Sequence, residues 1–303
     1  MLYIDLHQDL ASARMHEKLA HQTNPDLLKK VNAKVVLGTG FTLPQERIEY
    51  VLARDLAWYR GVCAHDPEWR MISTARDLKE VLAQDHVHGF LPHVEGMPGA
   101  PEDLRVLDDW VAAGIRSIGM VWNDDTPLGG GTKSTAGLTE LGRAYLARME
   151  EHSILVDLAH MNRVMFADVM AELTRPPFIS HGGSAALVPH ERNYTDAQLR
   201  EVAERGGVIG IYLSQSTMVQ GGAFILSDIT EHIRHISDVA GEDAVALGTD
   251  FGGVLSGLPE GISSVGDIEK LWDALSAEGI SQRQIEKIAY ANAARYLCEN
   301  LPE

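Results

Sequence analysis

A histidine and an aspartate stand two residues apart near the start of the sequence, in the stretch YIDLHQDL (residues 3–10). Residues at this spacing in an extended segment point to the same side, so His7 and Asp9 could ligate one metal ion. Imidazole and carboxylate groups are ordinary zinc ligands. Taken alone, the pair also fits a structural interpretation in which the aspartate begins a turn. Other parts of the sequence must therefore supply the remaining ligands.

Four more residues of the same two chemical types each follow a short apolar run. They are Glu95 in HVEG, His160 in DLAH, His181 in ISHGGS and Asp250 in GTDFGG. Three histidines and three carboxylates gathered at one site would repel each other and be poorly solvated without a cation. Because neutral imidazoles and carboxylates without cysteine suit zinc or a similar divalent ion, the set predicts a metal centre.

The single glutamate in this set indicates a carboxylate that bridges two metal ions. Two ions a few ångströms apart can polarise a carbonyl group and activate water at neutral pH. Asp250 would then orient or deprotonate that water. The predicted reaction class is metal-assisted hydrolysis, with Glu95 and Asp250 as its catalytic carboxylates.

Eight short apolar runs position these residues, and they are typical of strands buried on both faces of a parallel sheet. The predicted strands are residues 2–7, 34–41, 88–96, 114–122, 153–160, 176–181, 207–213 and 244–250. Segments with apolar residues at helical spacing lie between them. The predicted helices are residues 45–64, 101–113, 139–152, 162–173, 195–205, 226–240, 268–278 and a last helix that begins at Ser281.

This alternation of eight strands with helices predicts an α/β fold, the (β/α)₈ or TIM barrel of the metal-dependent hydrolase type. Chemistry in such barrels takes place at the C-terminal ends of the strands, where the residues named above lie. An open doubly wound sheet is the competing fold, but no G-x-G-x-x-G motif follows the first strand. No linker or repeat divides the chain, so we predict a single catalytic domain over residues 1–303.

The composition restricts the partners and the location of the protein. A net charge of −17 argues against nucleic acid and anionic membranes as partners. Cys63 and Cys298 lie far apart and outside any CxxC pattern, which excludes a disulfide scaffold. We find no signal-peptide pattern and no apolar run of transmembrane length, so we expect a cytoplasmic protein. A monomer and a homodimer both remain open.

Longer stretches of the sequence resemble the renal (membrane) dipeptidases, zinc metallopeptidases of the amidohydrolase superfamily. The stretches are IDLHQDL, HVEGM, GLTELGRAYLARMEEHSILVDLAHMN, ISHGGSAALVPHERNYTDAQLREVAERGGVIGI and GTDFGG. The resemblance is strongest over residues 137–213 and implies the same barrel fold. It also implies hydrolysis of small dipeptides, including those with a D-residue at the C-terminal position.

The resemblance implies a binuclear zinc site with a role for each ligand. His7 and Asp9 would bind one Zn²⁺ ion, and Glu95 would bridge it to the second. His160 and His181 would complete the second site.

Further roles implied by the resemblance concern the substrate. Arg192, in the stretch HERN, would hold the terminal carboxylate of the substrate by a charge-assisted contact, with Asn193 as a further substrate-binding residue. Asp250 matches an aspartate that lies near the bridging water. His93, two residues before Glu95, is interpreted as a buried structural histidine.

One position departs from the pattern of the family. The family has a histidine at the end of the fourth strand, which contacts the substrate and helps to polarise the scissile carbonyl, and MVWNDDTP places Trp122 there. An indole donates one N–H or stacks, but it cannot act as an acid or base. Losing such a donor costs about 10²–10³ in rate. Three outcomes are open: slow dipeptide hydrolysis, a different amide, ester or lactone substrate packed against Trp122, or a catalytically impaired ligand-binding homologue.

Overall fold

The computed structural model describes all residues 1–303, and its strands form one hydrogen-bonded sheet. The strands are β1 (Tyr3–Gln8), β2 (Ala33–Phe41), β3 (Trp69–Met71), β4 (His88–Glu95), β5 (Ser117–Gly119), β6 (Leu155–Asp157), β7 (Phe178–Gly182), β8 (Val208–Ile211) and β9 (Val245–Leu247). Their order is β2-β1-β9-β8-β7-β6-β5-β4-β3, and β2 also pairs with β4. The pairing therefore closes into a ring of eight strands, with β3 attached to β4 outside the ring.

Helices follow most of the strands. They are α1 (Leu10–Ala13), α2 (Pro25–Lys30), α3 (Ile48–His65), α4 (Ala75–Leu82), α5 (Arg105–Ala112), α6 (Glu140–Glu151), α7 (Arg163–Glu172), α8 (Asp196–Glu204), α9 (Gln215–Met218), α10 (Leu226–Ala240), α11 (Glu269–Ala277), α12 (Gln282–Glu286) and α13 (Asn292–Asn300). A 3₁₀ turn (Val265–Asp267) precedes α11, and a π-helical segment (Lys287–Ala291) joins α12 to α13. No helix is both long enough and apolar enough to cross a lipid bilayer.

Contacts along the chain divide it into two compact units. The first unit comprises Met1–Leu37 and Ile179–Tyr296, and the second comprises Gly38–Phe178 and Leu297–Glu303. Both main boundaries fall inside strands, one in β2 and one in β7. The single-domain assignment over residues 1–303 stays a prediction.

In the first unit, strand register brings the ends of β1 and β9 together. Asp5 lies opposite Leu247 in a parallel pairing, and Leu247 lies opposite Ile211 of β8. Every residue of β1 is buried, as expected for a strand covered on both faces. The polar residues that follow β1 and β9 are thereby brought close together.

In the second unit, β4, β5 and β6 are parallel and in register. Glu95 lies opposite Gly119, and Gly119 lies opposite Asp157. The last residue of β4 is thus level with the last residue of β6, three residues before His160. Trp69 stacks on Phe90 at 4.0 Å between ring centroids, which anchors β3 on β4.

The eight predicted strands all overlap observed strands, and the strand order matches the predicted barrel. The predicted strands at 114–122 and 153–160 were too long, because only Ser117–Gly119 and Leu155–Asp157 form ladders. The excess residues are irregular backbone that carries Trp122 and His160. Strand β3 and the helices α1, α2, α4 and α9 were not predicted.

Candidate metal centre

In the first unit, four predicted site residues form one cluster. Nε2 of His7 lies 3.8 Å from Oδ2 of Asp9 and 3.8 Å from Oδ1 of Asp250. The ring of His181, in β7, lies 4.1 Å from the ring of His7 between centroids. One potential ligand atom from each of His7, His181 and Asp250 falls within 4.8 Å of the others. This donor set suits zinc or a similar divalent ion.

Three of the four residues are buried, and a neighbouring glycine leaves room for the two carboxylates. His7 is fully buried, while Asp9 and His181 are 5% and 2% exposed. A Cβ atom at Gly253 would overlap Oδ2 of Asp9 and Oδ1 of Asp250, so a glycine there keeps the space between the two carboxylates open. Buried carboxylates and imidazoles at this spacing are stable together when a cation offsets their charge. The residues therefore fit the predicted metal.

Two site residues adopt a backbone conformation that ordinary side chains disfavour. His160 and Asp250 both have φ of 64°, in the left-handed region, and only two other non-glycine residues have positive φ. Each such residue costs about 1 kcal/mol or more. The surrounding hydrogen bonds must offset this cost, and residues held in this way concentrate at functional sites.

Asp5 is a buried carboxylate next to the first cluster, and the sequence analysis assigned it no role. Asp5 accepts hydrogen bonds from the backbone N–H of His7 (3.2 Å) and from the backbone N–H (2.9 Å) and hydroxyl (2.6 Å) of Thr249. The side chain of Gln8 also donates to Asp5, at 2.6 Å. Burial raises the pKa of Asp5, and the hydrogen bond from Thr249 is the largest opposing effect. Asp5 thus ties the residue before Asp250 to the ligand-bearing end of β1.

In the second unit, Glu95 and His160 form a close pair. Nε2 of His160 lies 2.9 Å from Oε1 of Glu95. The segment after β5 makes two contacts with His160. Oδ1 of Asn123 lies 3.2 Å from Nδ1 of His160, and the hydroxyl of Thr132 donates a hydrogen bond to the carbonyl of His160 at 3.1 Å. A partner on Nδ1 leaves Nε2 available as a ligand atom.

Trp122 lies beside this pair. Its ring is 5.9 Å from the ring of His160 and 4.9 Å from the ring of Phe41, which it meets edge-on. The structure therefore brings Trp122 next to a predicted metal ligand, with Phe41 as an aromatic neighbour that the sequence analysis missed. Contact between Trp122 and the substrate stays a prediction.

His93 belongs to a buried polar group in the same unit. Its Nδ1 lies 2.8 Å from the hydroxyl of Ser117, and its Nε2 lies 3.5 Å from Oδ2 of Asp157. All three residues are at most 2% exposed. This environment fits the interpretation of His93 as a structural histidine.

The loop between β7 and α8 carries Arg192 and Asn193. The guanidinium of Arg192 lies 5.8 Å from the ring of Tyr212, which is 5.7 Å from the ring of His181. Arg192 is 8% exposed, and its buried Nη2 has no hydrogen-bond partner. A buried guanidinium with an unused donor is suited to bind an anion.

The side chain of Asn193 forms its hydrogen bonds mainly with backbone carbonyls of the protein. Its side-chain amide donates to the carbonyls of Val188 (2.9 Å) and Thr217 (2.7 Å). Those two bonds use both amide protons, so only Oδ1 is left for another partner. Its predicted contact with the substrate stays a prediction.

Comparisons with known proteins identify the family and the fold of the chain. A family model described as membrane dipeptidase (Peptidase family M19) matches residues 2–300. The relative named "uncharacterized protein in pqqA 5′ region" of Klebsiella pneumoniae is 31% identical over 269 residues, or 84% of this chain and 98% of that protein.

Two solved structures have the same fold. A metallo peptidase from Rhodobacter sphaeroides, liganded with a phosphinate mimic of the dipeptide L-Ala-D-Ala, has a TM-score of 0.90 at 23% identity and covers 99% of both chains. The dipeptidase AC, a metallo peptidase of family M19, has a TM-score of 0.89 at 24% identity, with 100% of this chain and 99% of that chain covered. The predicted (β/α)₈ barrel is confirmed.

The family predicted from the sequence motifs is confirmed as well, because the family model spans nearly the whole chain. The chain is therefore a metallopeptidase, and it contains groups of histidine and carboxylate side chains that could hold a metal ion. This chain belongs to the membrane dipeptidase family, Peptidase family M19.

Proposed function

We propose that the protein hydrolyses dipeptides at a centre of two zinc ions. The residues that would hold the ions are His7, Asp9, Glu95, His160 and His181, with Glu95 shared by both. The observation that carries the proposal is that buried imidazoles lie against carboxylates at the predicted strand ends, with His7 3.8 Å from Asp9 and His160 2.9 Å from Glu95. In a (β/α)₈ barrel those strand ends are where catalytic residues lie.

When bound, zinc would polarise the scissile carbonyl and activate water. The remaining work falls to side chains of the protein. The carboxylate of Asp250, 18% exposed and 3.8 Å from His7, would take up the proton released during hydrolysis. Arg192 would hold the terminal carboxylate of the dipeptide through its unpartnered Nη2. The partner is thus a small dipeptide, not a nucleic acid or a membrane.

We further propose that the site accepts a D-residue at the C-terminal position of the dipeptide. The support is the Rhodobacter sphaeroides relative, which binds a mimic of L-Ala-D-Ala. Rates for L-Ala-D-Ala and L-Ala-L-Ala, measured side by side on this protein, test the preference. A rate confined to the L,L-dipeptide would refute it.

The metal-dependent activity is tested with two alanine variants. We expect His181→Ala to lose bound zinc and dipeptide hydrolysis together, because it removes one ligand of a buried site. His86→Ala is the matched control, because His86 is exposed and lies outside both clusters. Full dipeptidase activity in His181→Ala, or no zinc in the parent protein, would refute the proposal.

A second candidate keeps the metal barrel and changes the substrate. The observation that favours it is the aromatic pair of Trp122 and Phe41 beside His160, where a family histidine is replaced. An aromatic surface of this kind is suited to bind an apolar amide, ester or lactone. A panel of N-acyl amino acids, esters and lactones, assayed next to dipeptides, separates the two candidates. Zinc-loaded protein that is inert on the whole panel would indicate an impaired, ligand-binding homologue.

A further inference from the structure

We propose that the hydroxyl of Ser180 is a shared positioning group for the two histidines His7 and His181. Ser180 lies in β7, directly before His181, and is fully buried. Its Oγ lies 2.8 Å from Nδ1 of His181 and 3.4 Å from Nδ1 of His7. The Ser180 hydroxyl thus contacts the Nδ1 atom of each imidazole ring. The inference rests on the proposed function in one respect, namely that both histidines bind zinc.

The donor and acceptor capacities of these groups explain why one hydroxyl suffices. A serine oxygen has two lone pairs, so it can accept a hydrogen bond from Nδ1–H of each ring. Both imidazoles are then held in the tautomer whose Nε2 lone pair is available to a metal. Nε2 of His7 already faces the carboxylates of Asp9 and Asp250, at 3.8 Å from each.

Two glycines, one in β8 and one directly after β9, leave room for the backbone of Ser180. A Cβ atom on Gly210, in β8, or on Gly248, directly after β9, would overlap the carbonyl oxygen of Ser180. These two residues therefore need to be glycine for β7 to lie where it does. The packing of β7 against β8 and β9 therefore determines where the Ser180 hydroxyl lies. That hydroxyl in turn contacts two imidazole rings.

The test compares zinc affinity in Ser180→Ala and the parent, with the metal-free proteins titrated against a competing chelator. We expect Ser180→Ala to bind zinc about 10–100-fold more weakly, as is typical when a partner of a ligand histidine is removed. The visible absorption of the cobalt-substituted protein should also change, because the orientation of two ligand imidazoles is no longer fixed. The melting temperature of the metal-free variant should remain close to that of the parent.

Two further variants make the result specific. Ser237→Ala is the matched control, because Ser237 is a buried serine on α10 whose hydroxyl has no hydrogen-bond partner. It should retain parental zinc affinity. Ser180→Thr keeps the hydroxyl and should bind zinc more tightly than Ser180→Ala, even if its extra methyl lowers the melting temperature. If Ser180→Ala does not fold, Ser180→Gly replaces it with the same expectation.

Equal zinc affinity and an unchanged cobalt spectrum in Ser180→Ala would overturn the inference. A parent protein that binds no zinc would overturn it together with the proposed metal centre. A parent that binds zinc but cleaves no dipeptide would refute the proposed substrate alone, and the comparison of Ser180→Ala with the parent would still decide the role of Ser180.

Discussion

At the residue scale, we expect Arg192 and Trp122 to determine which substrate the site takes. Arg192 is a buried cation whose Nη2 has no partner in the protein. Trp122 stands where the sequence resemblance implies a family histidine. The first residue favours a substrate with a carboxylate. The second residue is expected to lack the hydrogen-bond donor that a histidine there would supply to the reaction. Both residues can be tested with single substitutions.

We expect Arg192→Met to raise KM for dipeptides by about 10–100-fold, because a charge-assisted hydrogen bond contributes about 1.5–3 kcal/mol. The measurement is steady-state kinetics on a dipeptide and on its C-terminal amide, which lacks the carboxylate. The parent should prefer the free acid, and the variant should lose that preference. An equal loss on both substrates would show that Arg192 does not bind the carboxylate.

We expect Trp122→His to raise the dipeptidase rate by about 10²–10³, because it restores an electrophilic donor beside His160. Steady-state rates of the two proteins on the same dipeptide give the comparison. Phe41→Leu is the control, because it changes the aromatic neighbour without adding a donor. A rate in Trp122→His no higher than in the parent would favour a substrate other than a dipeptide.

At the element scale, buried polar contacts between neighbouring strands and helices hold the loops of the first unit. His232, on α10, accepts a hydrogen bond from the backbone N–H of Ser184 at 2.9 Å through Nδ1, and its Nε2 lies 3.3 Å from the carbonyl of Met218. Only 1% of His232 is exposed, and burial lowers its pKa from 6.5 to about 4. Its neutral form is therefore the one that the fold accommodates.

This shift predicts acid lability. In the unfolded chain His232 takes up a proton below its ordinary pKa, so stability falls as the pH drops from 6.5 towards 4. The contribution between pH 7 and pH 5 is about 2 kcal/mol. Urea unfolding at these two pH values should show the loss in the parent and a smaller loss in His232→Gln, which keeps an acceptor and a donor but does not titrate. Equal losses in both proteins would contradict the assignment to His232.

The close approach of β7 to its neighbours predicts a second effect. Gly248→Ala should lower the free energy of unfolding by about 1–3 kcal/mol, because its methyl group would overlap the carbonyl of Ser180. Urea unfolding at neutral pH measures this. Gly61→Ala is the control, because no atom lies within 4 Å of a Cβ there, and alanine in a helix is favoured by about 1 kcal/mol. A Gly248→Ala variant as stable as the parent would show that the strands can separate.

The elements that could be predicted are those with a strong local signal. Helix α10 matches its prediction at both ends (226–240), and Thr195, the first residue of the predicted helix 195–205, is the N-cap of α8. Strand β3 was missed because its three residues are too few to show a period, and only Trp69 among them is buried. The predicted ends of the strands at 114–122 and 153–160 were wrong, because the chain there leaves the sheet as irregular backbone that carries Trp122 and His160.

The candidate ligand side chains could be selected from the sequence because they follow short apolar runs, which are local features. Their supporting contacts could not, because the partners are distant in the sequence. Asn123 meets His160 across 37 residues, and Ser180 meets His7 across 173. Tertiary packing alone determines such pairs. The one available signal was that Ser180 directly precedes His181 in the stretch ISHGGS.

At the scale of the whole molecule, the proposed zinc ions link catalysis to stability. A metal that binds only the folded protein stabilises it by about 2.7 kcal/mol when its free concentration is 100 times Kd. Zinc should therefore raise the melting temperature of the metal-free parent, and magnesium at the same concentration should not, since these ligands include three imidazoles. A melting temperature that does not respond to zinc would contradict zinc binding by the folded protein.

The location and the assembly of the molecule stay predictions. The expectation of a small-molecule partner, without nucleic acid or membrane, follows from the net charge of −17 and stays a prediction as well. We expect a monomer or a homodimer in solution, and sedimentation velocity distinguishes the two.

We propose above all that this barrel is a dipeptidase that works with two zinc ions. The most direct measurement is a titration of metal-free protein with zinc, in which hydrolysis of L-Ala-D-Ala and L-Ala-L-Ala is followed at each ratio. We predict that activity returns as zinc is added and becomes constant at two ions per chain. Full hydrolysis without metal, constant activity at one ion, or no hydrolysis of either dipeptide by the zinc-loaded protein would contradict it.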